Sequence, residues 1–495
     1  MELLPSLVGS QSGYLSDPDN PESKFKNENP GGEVSLGAHY AFTPSLGAEI
    51  TFNPDFGQVE SDADQIDVNT TFALFFPERR PFFQEGSDLY HTWFDPVYTR
   101  SINNPIAAAK LTGRLNRTSI GFISALDKNT PIILPFEESS EVLNTDKKSV
   151  SNILRVKRTF GKDSYIGGLI TDRRFEDNGS GTLFGGDGIL RLHKNYHIEF
   201  QSLFSHSEEP KDSSLTENIN DQQFDDKYTA KFNGESFSGN ALYASLEHDT
   251  KFWDFDFDYW QASPTFRADN GFVTQNNYRK TAFWTSFGIF PNSKIFEEIH
   301  PGVNFAKIWN YDGIHKEIWI RPELFLGFKG QTQVSLAYLS SAERFQNNLF
   351  SGIRQWELST ESNFNEFVQG GFYISYGTSI ARELWSTIKP LTRLLISPSF
   401  LYSYLEHPDN DRTLFSGFIF RNRFDYQFTR ELFLRLIIQY NRFNDQLVIE
   451  PLLTYKINPF SIFYIGSTMD YKKFENDFSH TSRQFFLKLQ YLFRI

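Results

Sequence analysis

The sequence predicts an all-β fold: one antiparallel sheet of about 20 to 22 strands, give or take two to four, closed into a transmembrane barrel. Three observations predict it. Apolar and polar residues alternate by twos in runs of roughly ten residues. Phe 52, Tyr 22 and Trp 8 make up 17% of the 495 residues, yet the mean hydropathy is only −0.43. The alternation also continues to the final residue of the chain.

The alternation is clearest at Trp253-Asp254-Phe255-Asp256-Phe257-Asp258-Tyr259, where odd positions are aromatic and even ones acidic. A helix would scatter these rings over every face, whereas a strand sorts them completely. Phe418, Phe420, Phe424, Tyr426 and Phe428 oppose Arg421, Arg423, Asp425 and Gln427 in the same way. So do Leu432, Leu434, Leu436, Ile438 and Tyr440 against Arg435, Gln439 and Asn441. Ile318, Ile320, Leu324, Leu326 and Phe328 alternate with Glu317, Trp319, Arg321 and Glu323. The phase is ambiguous over 343–393. At the C-terminus, Phe485, Leu487, Leu489, Tyr491, Phe493 and Ile495 share a face, opposed by Gln484, Lys488, Gln490 and Arg494. A terminal strand of this kind resembles the signal by which the barrel-assembly machinery recognises its substrates.

Large rings combined with a polar average suit a wall with one lipid face and one wet face. A soluble solenoid or propeller would show a fixed repeat, and none is visible. No run of about 18 apolar residues offers a transmembrane helix. Because lipid cannot satisfy backbone polar groups, a sheet in a membrane must close on itself.

Charge and composition exclude several classes of function. The balance of 48 Lys+Arg against 61 Asp+Glu gives a net charge of −13, which argues against nucleic acid as a partner. With Cys 0 there is neither a disulfide framework nor a thiolate metal site. The start Met1-Glu2-Leu3-Leu4-Pro5-Ser6 has no charged, apolar leader, so an exported protein would be in a mature or trimmed form.

Turn chemistry gives the barrel its polarity. Thr43-Pro44-Ser45, Gly161-Lys162-Asp163, His193-Lys194-Asn195, Thr429-Arg430-Glu431 and Asn458-Pro459 read as tight turns. Longer polar stretches fall near 130–147, 208–239, 405–413 and 474–480. Short turns mark the periplasmic end and long loops the extracellular end. Residues 1–32 are expected as a periplasmic lead-in and 33–495 as the barrel.

Residues 52–100 break this rhythm. The chain reads Asn53-Pro54-Asp55-Phe56-Gly57-Gln58-Val59-Glu60-Ser61-Asp62, then Phe75-Phe76-Pro77-Glu78-Arg79-Arg80-Pro81-Phe82-Phe83-Gln84-Glu85-Gly86. Pro77 and Pro81 each remove a ladder donor, and paired arginines are costly against lipid. The segment is therefore expected to fold inward as a lumenal plug or constriction. A barrel of this size is too wide for side chains alone to fill.

These two motifs resemble the C-terminal barrel domain of a Bacteroidota outer-membrane family of undefined function. Tyr426-Gln427-Phe428 leading into Leu432-Phe433-Leu434-Arg435, and the run from Tyr455 to Pro459, add to the likeness, which covers essentially the whole chain. In many members the barrel follows a sandwich similar to family-9 carbohydrate-binding modules, which this sequence lacks. The resemblance implies an outer-membrane barrel and supplies no catalytic residues.

The motif allows two chemical readings. In the first, Asn53, Asp55, Gln58, Glu60, Asp62, Glu78, Arg79, Arg80 and Glu85 belong to a polar network pinning the segment to the wall, because Arg forks suit carboxylates. In the second, Asp55, Glu60, Asp62, Asp64 and Asp67 gather oxygens for Ca²⁺, although their spacing matches no EF-hand loop. Asp254, Asp256 and Asp258 read as a solvated lumen wall, with paired catalytic carboxylates as the sharper alternative. Ten histidines show no His-Glu-x-x-His motif, and no Gly-x-Ser-x-Gly elbow occurs. No cofactor is expected. The leading expectation is a conduit, plugged pore or membrane subunit of an envelope assembly. Next comes a receptor that binds glycans or proteins through its loops, and last an outer-membrane hydrolase.

Overall fold

The computed structural model describes residues 1–54, 71–78, 80–176, 178–219, 222–378, 380–406, 413–458, 461–475 and 477–494. The chain forms a closed antiparallel barrel of 24 strands, each paired with its sequence neighbours. The wall starts with Glu2–Leu15, Gly31–Thr43 and Leu46–Phe52. After a long interruption it resumes with Pro105–Leu115, Thr118–Asp127, Ser149–Phe160, Ser164–Phe175, Ser180–His193, Tyr196–Glu208, Ser236–His248 and Trp253–Ala262. A second run begins at Tyr278–Phe287 and proceeds through Phe296–Trp309, His315–Phe328, Thr332–Phe345, Asn348–Asn365, Val368–Gly377, Ile380–Leu391 and Leu394–Glu406. It ends with Thr413–Gln427, Leu432–Asn441, Gln446–Asn458, Ser461–Phe474 and Asp477–Gln490.

The barrel closes where Ser6–Tyr14 pairs with Ser482–Gln490. Two short pieces, Phe25–Asn27 and Phe493–Arg494, also pair on the first strand. This corrects the expected boundary: residues 1–32 are not a lead-in, because 2–15 is the strand that seals the wall. Its outward side, Leu3, Pro5, Leu7, Gly9 and Gln11, is too weakly apolar to reveal alternation, and Pro5 breaks the pattern further. The count of 24 lies two above the expected range and inside its margin. The ambiguous stretch contributes complete strands at Asn348–Asn365, Val368–Gly377 and Ile380–Leu391. The polar stretch 474–480 is mostly strand, since Asp477–Gln490 starts within it. No helix is long and apolar enough to cross a membrane among the described residues.

Register carries one parity around the whole ring, so each strand has an inner and an outer set of side chains. The outer set is exposed and apolar, as at Ile166, Phe184, Phe204, Phe257, Phe283, Ile320, Trp356, Phe420 and Ile465. Aromatic residues gather at the short-turn end of this face, with Tyr40 against Phe42, Trp253 against Phe287, and Tyr426 against Phe428. That is the girdle expected at a bilayer interface. Phe485, Leu487, Leu489, Tyr491 and Phe493 also lie outward and exposed, while Ile495 falls outside the described residues. Glu2 pairs with Arg494, so both ends of the chain meet at the short-turn end.

Candidate functional site

The wall leaves its plane at Phe52 and returns at Pro105, both at the long-loop end. Phe52 pairs with Ala107, so the two feet of the intervening segment stand on adjacent strands. Asn53 makes the exit with φ 42, its amide donating to Ile106 O at 2.7 Å and its Nδ2 to Val34 O at 3.1 Å. Asn is among the residues that tolerate this left-handed geometry. Asn53 thus braces the wall and does not meet the charged residues further along.

The described part of the segment packs on the inner face. Phe82, Phe83, Leu89, Tyr90, Phe94 and Ile102 form one apolar cluster with wall residues Ala108, Ile123, Ala125, Ile153, Leu169, Leu183, Leu203, Ala241 and Tyr243. Phe266, Ala268 and Val273 join the cluster from the 263–277 connection, which also folds inward. The segment spans most of the height of the wall. Ser101 sits beside Arg173, close to the long-loop end, while Gly86 meets Thr112, close to the short turns. Gly86 has φ +74, a conformation that glycine adopts without strain.

Small wall residues make this approach possible. A Cβ on Gly121 would lie 2.5 Å from Tyr90 Oη, and one on Gly239 would overlap the backbone of Thr265 and Phe266. Glycine inside a strand often marks such a close approach of another backbone.

Glu78 and Arg80 form the charged knot of the segment. Arg80 donates from Nε to Glu78 Oε1 at 2.8 Å and from Nη2 to Oε2 at 2.6 Å. The guanidinium also donates to Ile102 O and Thr99 O, both at 2.7 Å, and stacks 4.5 Å over the Phe83 ring. Thr99 Oγ1 donates to Glu78 at 2.6 Å. Burial alone would raise the Glu78 pKa, but the Arg80 pair and the Thr99 hydroxyl outweigh it and hold the carboxyl below its usual range. Glu85 does not join this pair: it is mostly exposed, 3.5 Å from Lys110 Nζ. Asp55, Gln58, Glu60, Asp62, Asp64, Asp67 and Arg79 lie outside the described residues, and so does the Ca²⁺ arrangement built on them.

The wall supplies polar partners that sequence reasoning missed. Arg155 and Asp187, both nearly sealed from solvent, form a bidentate pair, with Arg155 Nη2 2.7 Å from Asp187 Oδ2. Arg155 Nε also donates to Leu89 O at 3.1 Å. Arg173, with 0% exposure, donates to Ser151 Oγ, Asp269 O, Ser101 O and Ser101 Oγ at 2.6–3.2 Å. Lys110 donates to Phe82 O at 2.6 Å and pairs with Glu49 at 3.2 Å. Asp127 accepts from the amides of Asn103 and Asn104. Gln201 accepts from Phe94 N at 3.1 Å and donates to Thr92 Oγ1 at 2.8 Å. The wall thereby meets polar groups that the segment buries, although the buried Tyr90 hydroxyl has no hydrogen-bond partner.

Asp254, Asp256 and Asp258 lie on the inner face, half-buried. They accept from Thr250 N at 2.6 Å, Ser245 Oγ at 2.8 Å and Tyr243 Oη at 3.1 Å respectively. The bonds of Asp256 and Asp258 brace neighbouring strands, while that of Asp254 holds the turn before its own strand.

A cavity of about 550 Å³ opens at the long-loop end. Its lining includes Glu137, Asp225, Asp312, Asn277, Phe224 and Tyr311. Glu137 and Glu138 are tied there to Lys316.

Comparison with known proteins adds the following. A family described as a domain of unknown function, DUF5916, matches residues 10–105, from the second half of the first strand to the start of the strand at Pro105. No curated protein matches the chain. Among solved structures, the siderophore receptor PirA from Pseudomonas aeruginosa is similar at 7% identity and TM-score 0.50, over 99% of this chain and 80% of that one. The FrpB iron transporter from Neisseria meningitidis aligns at 10% identity and TM-score 0.49, over 78% of this chain and 79% of that one. At such identities the likeness is one of fold: a large barrel of the outer-membrane type.

Proposed function

We propose that this chain is an outer-membrane barrel that works as a restricted conduit, its bore narrowed by its own residues 71–104. One observation carries the reading. The inward segment packs along the strands between 105 and 262, while part of the inner face elsewhere, at Glu33, Ser359, Glu361, Glu383 and Gln484, remains exposed to water, although Ile437, Gln439, Leu452 and Thr454 are buried. A barrel blocked all round would bury them. The wet sector carries charged groups of both signs, including Arg321 with Glu323 and Glu357, and Arg423 with Asp425 and Arg435. Such a lining suits hydrated solutes.

Planar-bilayer recording tests this reading. Wild-type protein should pass small currents, and a variant with 72–103 replaced by a short Gly/Ser linker should pass several-fold larger ones. Equal conductance in the two proteins, or silence in both, would overturn the conduit and leave a scaffold of an envelope assembly.

The long-loop cavity favours a second reading, a receptor for glycans at the cell surface. Carboxylates and amides beside Phe224 and Tyr311 offer hydrogen bonds and a stacking face for sugars. Loss of glycan capture in Tyr311→Ala would support it, and capture unchanged by that substitution would end it. In either reading the partners are outer-membrane lipid along the apolar belt and the assembly machinery at Phe485, Leu487, Leu489, Tyr491 and Phe493. The hydrogen bonds that hold Asp254, Asp256 and Asp258 to Thr250, Ser245 and Tyr243 weigh against a hydrolase.

A further inference from the structure

We propose that His197, Glu199 and Glu247 form a binding site for a divalent transition-metal ion on the inner wall, near its short-turn end. His197 and Glu247 stand directly opposite each other on paired strands, and Glu199 follows on the same face as His197. One donor atom from each of the three lies within 4.8 Å of the others. His197 Nε2 is 2.7 Å from Glu247 Oε2 and 3.9 Å from Glu199 Oε1.

A second feature sets this group apart from an ordinary acidic wall, because a neutral donor holds the Glu199 carboxylate in place. Trp93 Nε1 donates to Glu199 Oε2 at 3.0 Å, which leaves Oε1 on the side of the imidazole. Ser245 Oγ lies 3.3 Å from Glu247 Oε1, and Oε2 faces His197. The same hydroxyl lies 2.8 Å from Asp256, which pairs with Glu247 on the next strand and adds a further carboxylate at the edge of the set. Hydrogen bonds that orient ligand oxygens in this way are what metal sites use to fix geometry. Among the described residues, the only ion pairs of Glu199 and Glu247 are with His197. The crowded carboxylates therefore lack a fixed Lys or Arg counter-charge.

The donor set selects the ion. One imidazole nitrogen with two carboxylate oxygens suits Zn²⁺, Co²⁺, Ni²⁺ or Mn²⁺. It offers too few oxygens for Ca²⁺, which takes six to eight. Because Trp93 belongs to the inward segment, an ion held here also ties that segment to the wall through Glu199. The ion joins no chemical step; it is bound, and its binding fixes the lower part of the segment.

Untagged protein in detergent, freed of metal with a chelator, is titrated with Zn²⁺ by calorimetry and with Co²⁺ by visible absorption. The expected result is stoichiometric, saturable binding that weakens by at least about ten-fold in His197→Ala and in Glu247→Gln. Asp470→Asn, elsewhere on the inner wall, should bind as wild type. Zinc-edge X-ray absorption of the wild-type protein should show an imidazole among oxygen donors, a readout that does not depend on how the variants fold. Binding only at millimolar metal, unchanged affinity in both variants, or a zinc shell without imidazole would each overturn the site.

Discussion

Two sectors of the same wall face lipid alike but differ on the inside, although some inner positions of the second, such as Ile437 and Leu452, are also buried. Between 105 and 262 many inner positions are small or sealed: Gly121, Ala125, Ser151, Gly181, Gly239 and Ala241, with Arg155, Arg173 and Asp187 closed off. Beyond 278 they include Glu361, Glu383 and Gln484, which stay wet. The difference shows that closing a barrel and filling it are separate problems. Closure needs only an apolar outer face and matched ladders, which both sectors have. Filling needs a second layer of chain, and the wall makes room for it by giving up side-chain volume and adding fixed charges.

Breaking the buried pair in the filled sector should have the largest effect. Asp187→Ala leaves the Arg155 guanidinium buried without its carboxylate, at a cost of about 3–5 kcal/mol. Denaturant titration should show that loss, and limited proteolysis should cut 71–104 faster. A wild-type cleavage rate would mean that the pair does not anchor the segment. Crowding the interface comes next. Gly239→Leu drives a side chain into the backbone at Thr265 and Phe266 and should cost about 1–3 kcal/mol by overpacking. Enhanced cleavage within 263–277 would report it.

A smaller effect is expected from pH at the long-loop end of the filled sector. Burial pushes the Glu209 carboxyl up to about 7; Arg267 opposes this, while Glu235 and Asp269 add to it. A carboxyl with a raised folded pKa binds its proton more tightly in the native state than in the unfolded one. Stability should therefore rise as pH falls through about 7 towards the ordinary carboxyl range, and the gain should disappear in Glu209→Gln. Melting temperatures between pH 8 and pH 5, if flat in both proteins, would remove Glu209 from the account. The smallest effect belongs to the wet sector. Glu361→Gln should leave stability within about 0.5 kcal/mol, since nothing packs on that side chain. A large loss there would mean that the two sectors are not as different as they look.

The wall was legible in the sequence because lipid imposes a strict rule on every second residue, which Trp253–Tyr259 and Phe485–Phe493 display openly. The sealing strand at 2–15 was not, since its serines, glycines and Pro5 satisfy the ladder with little apolar contrast. The inward segment announced itself by composition, and the Glu78–Arg80 pair followed from the affinity of Arg for carboxylates. Its partners did not. Arg155, Asp187, Arg173 and Gln201 sit at inner positions where any polar residue is acceptable, so nothing local separates an anchor from a wet lining. One unused signal lay in the glycines: Gly121, Gly167, Gly181, Gly185 and Gly239 all fall on inner positions of the same sector, where a neighbouring side chain or backbone comes close.

The two feet of the inward segment stand on adjacent strands, roughly 5 Å apart. A separate plug domain can be pulled away from its barrel, but this one is a loop of the barrel itself. If its lower part is freed, it hangs from both ends within the mouth, at the millimolar effective concentrations typical of short tethers. Opening is therefore a swing followed by prompt return, and lasting passage would require something to hold the strap aside.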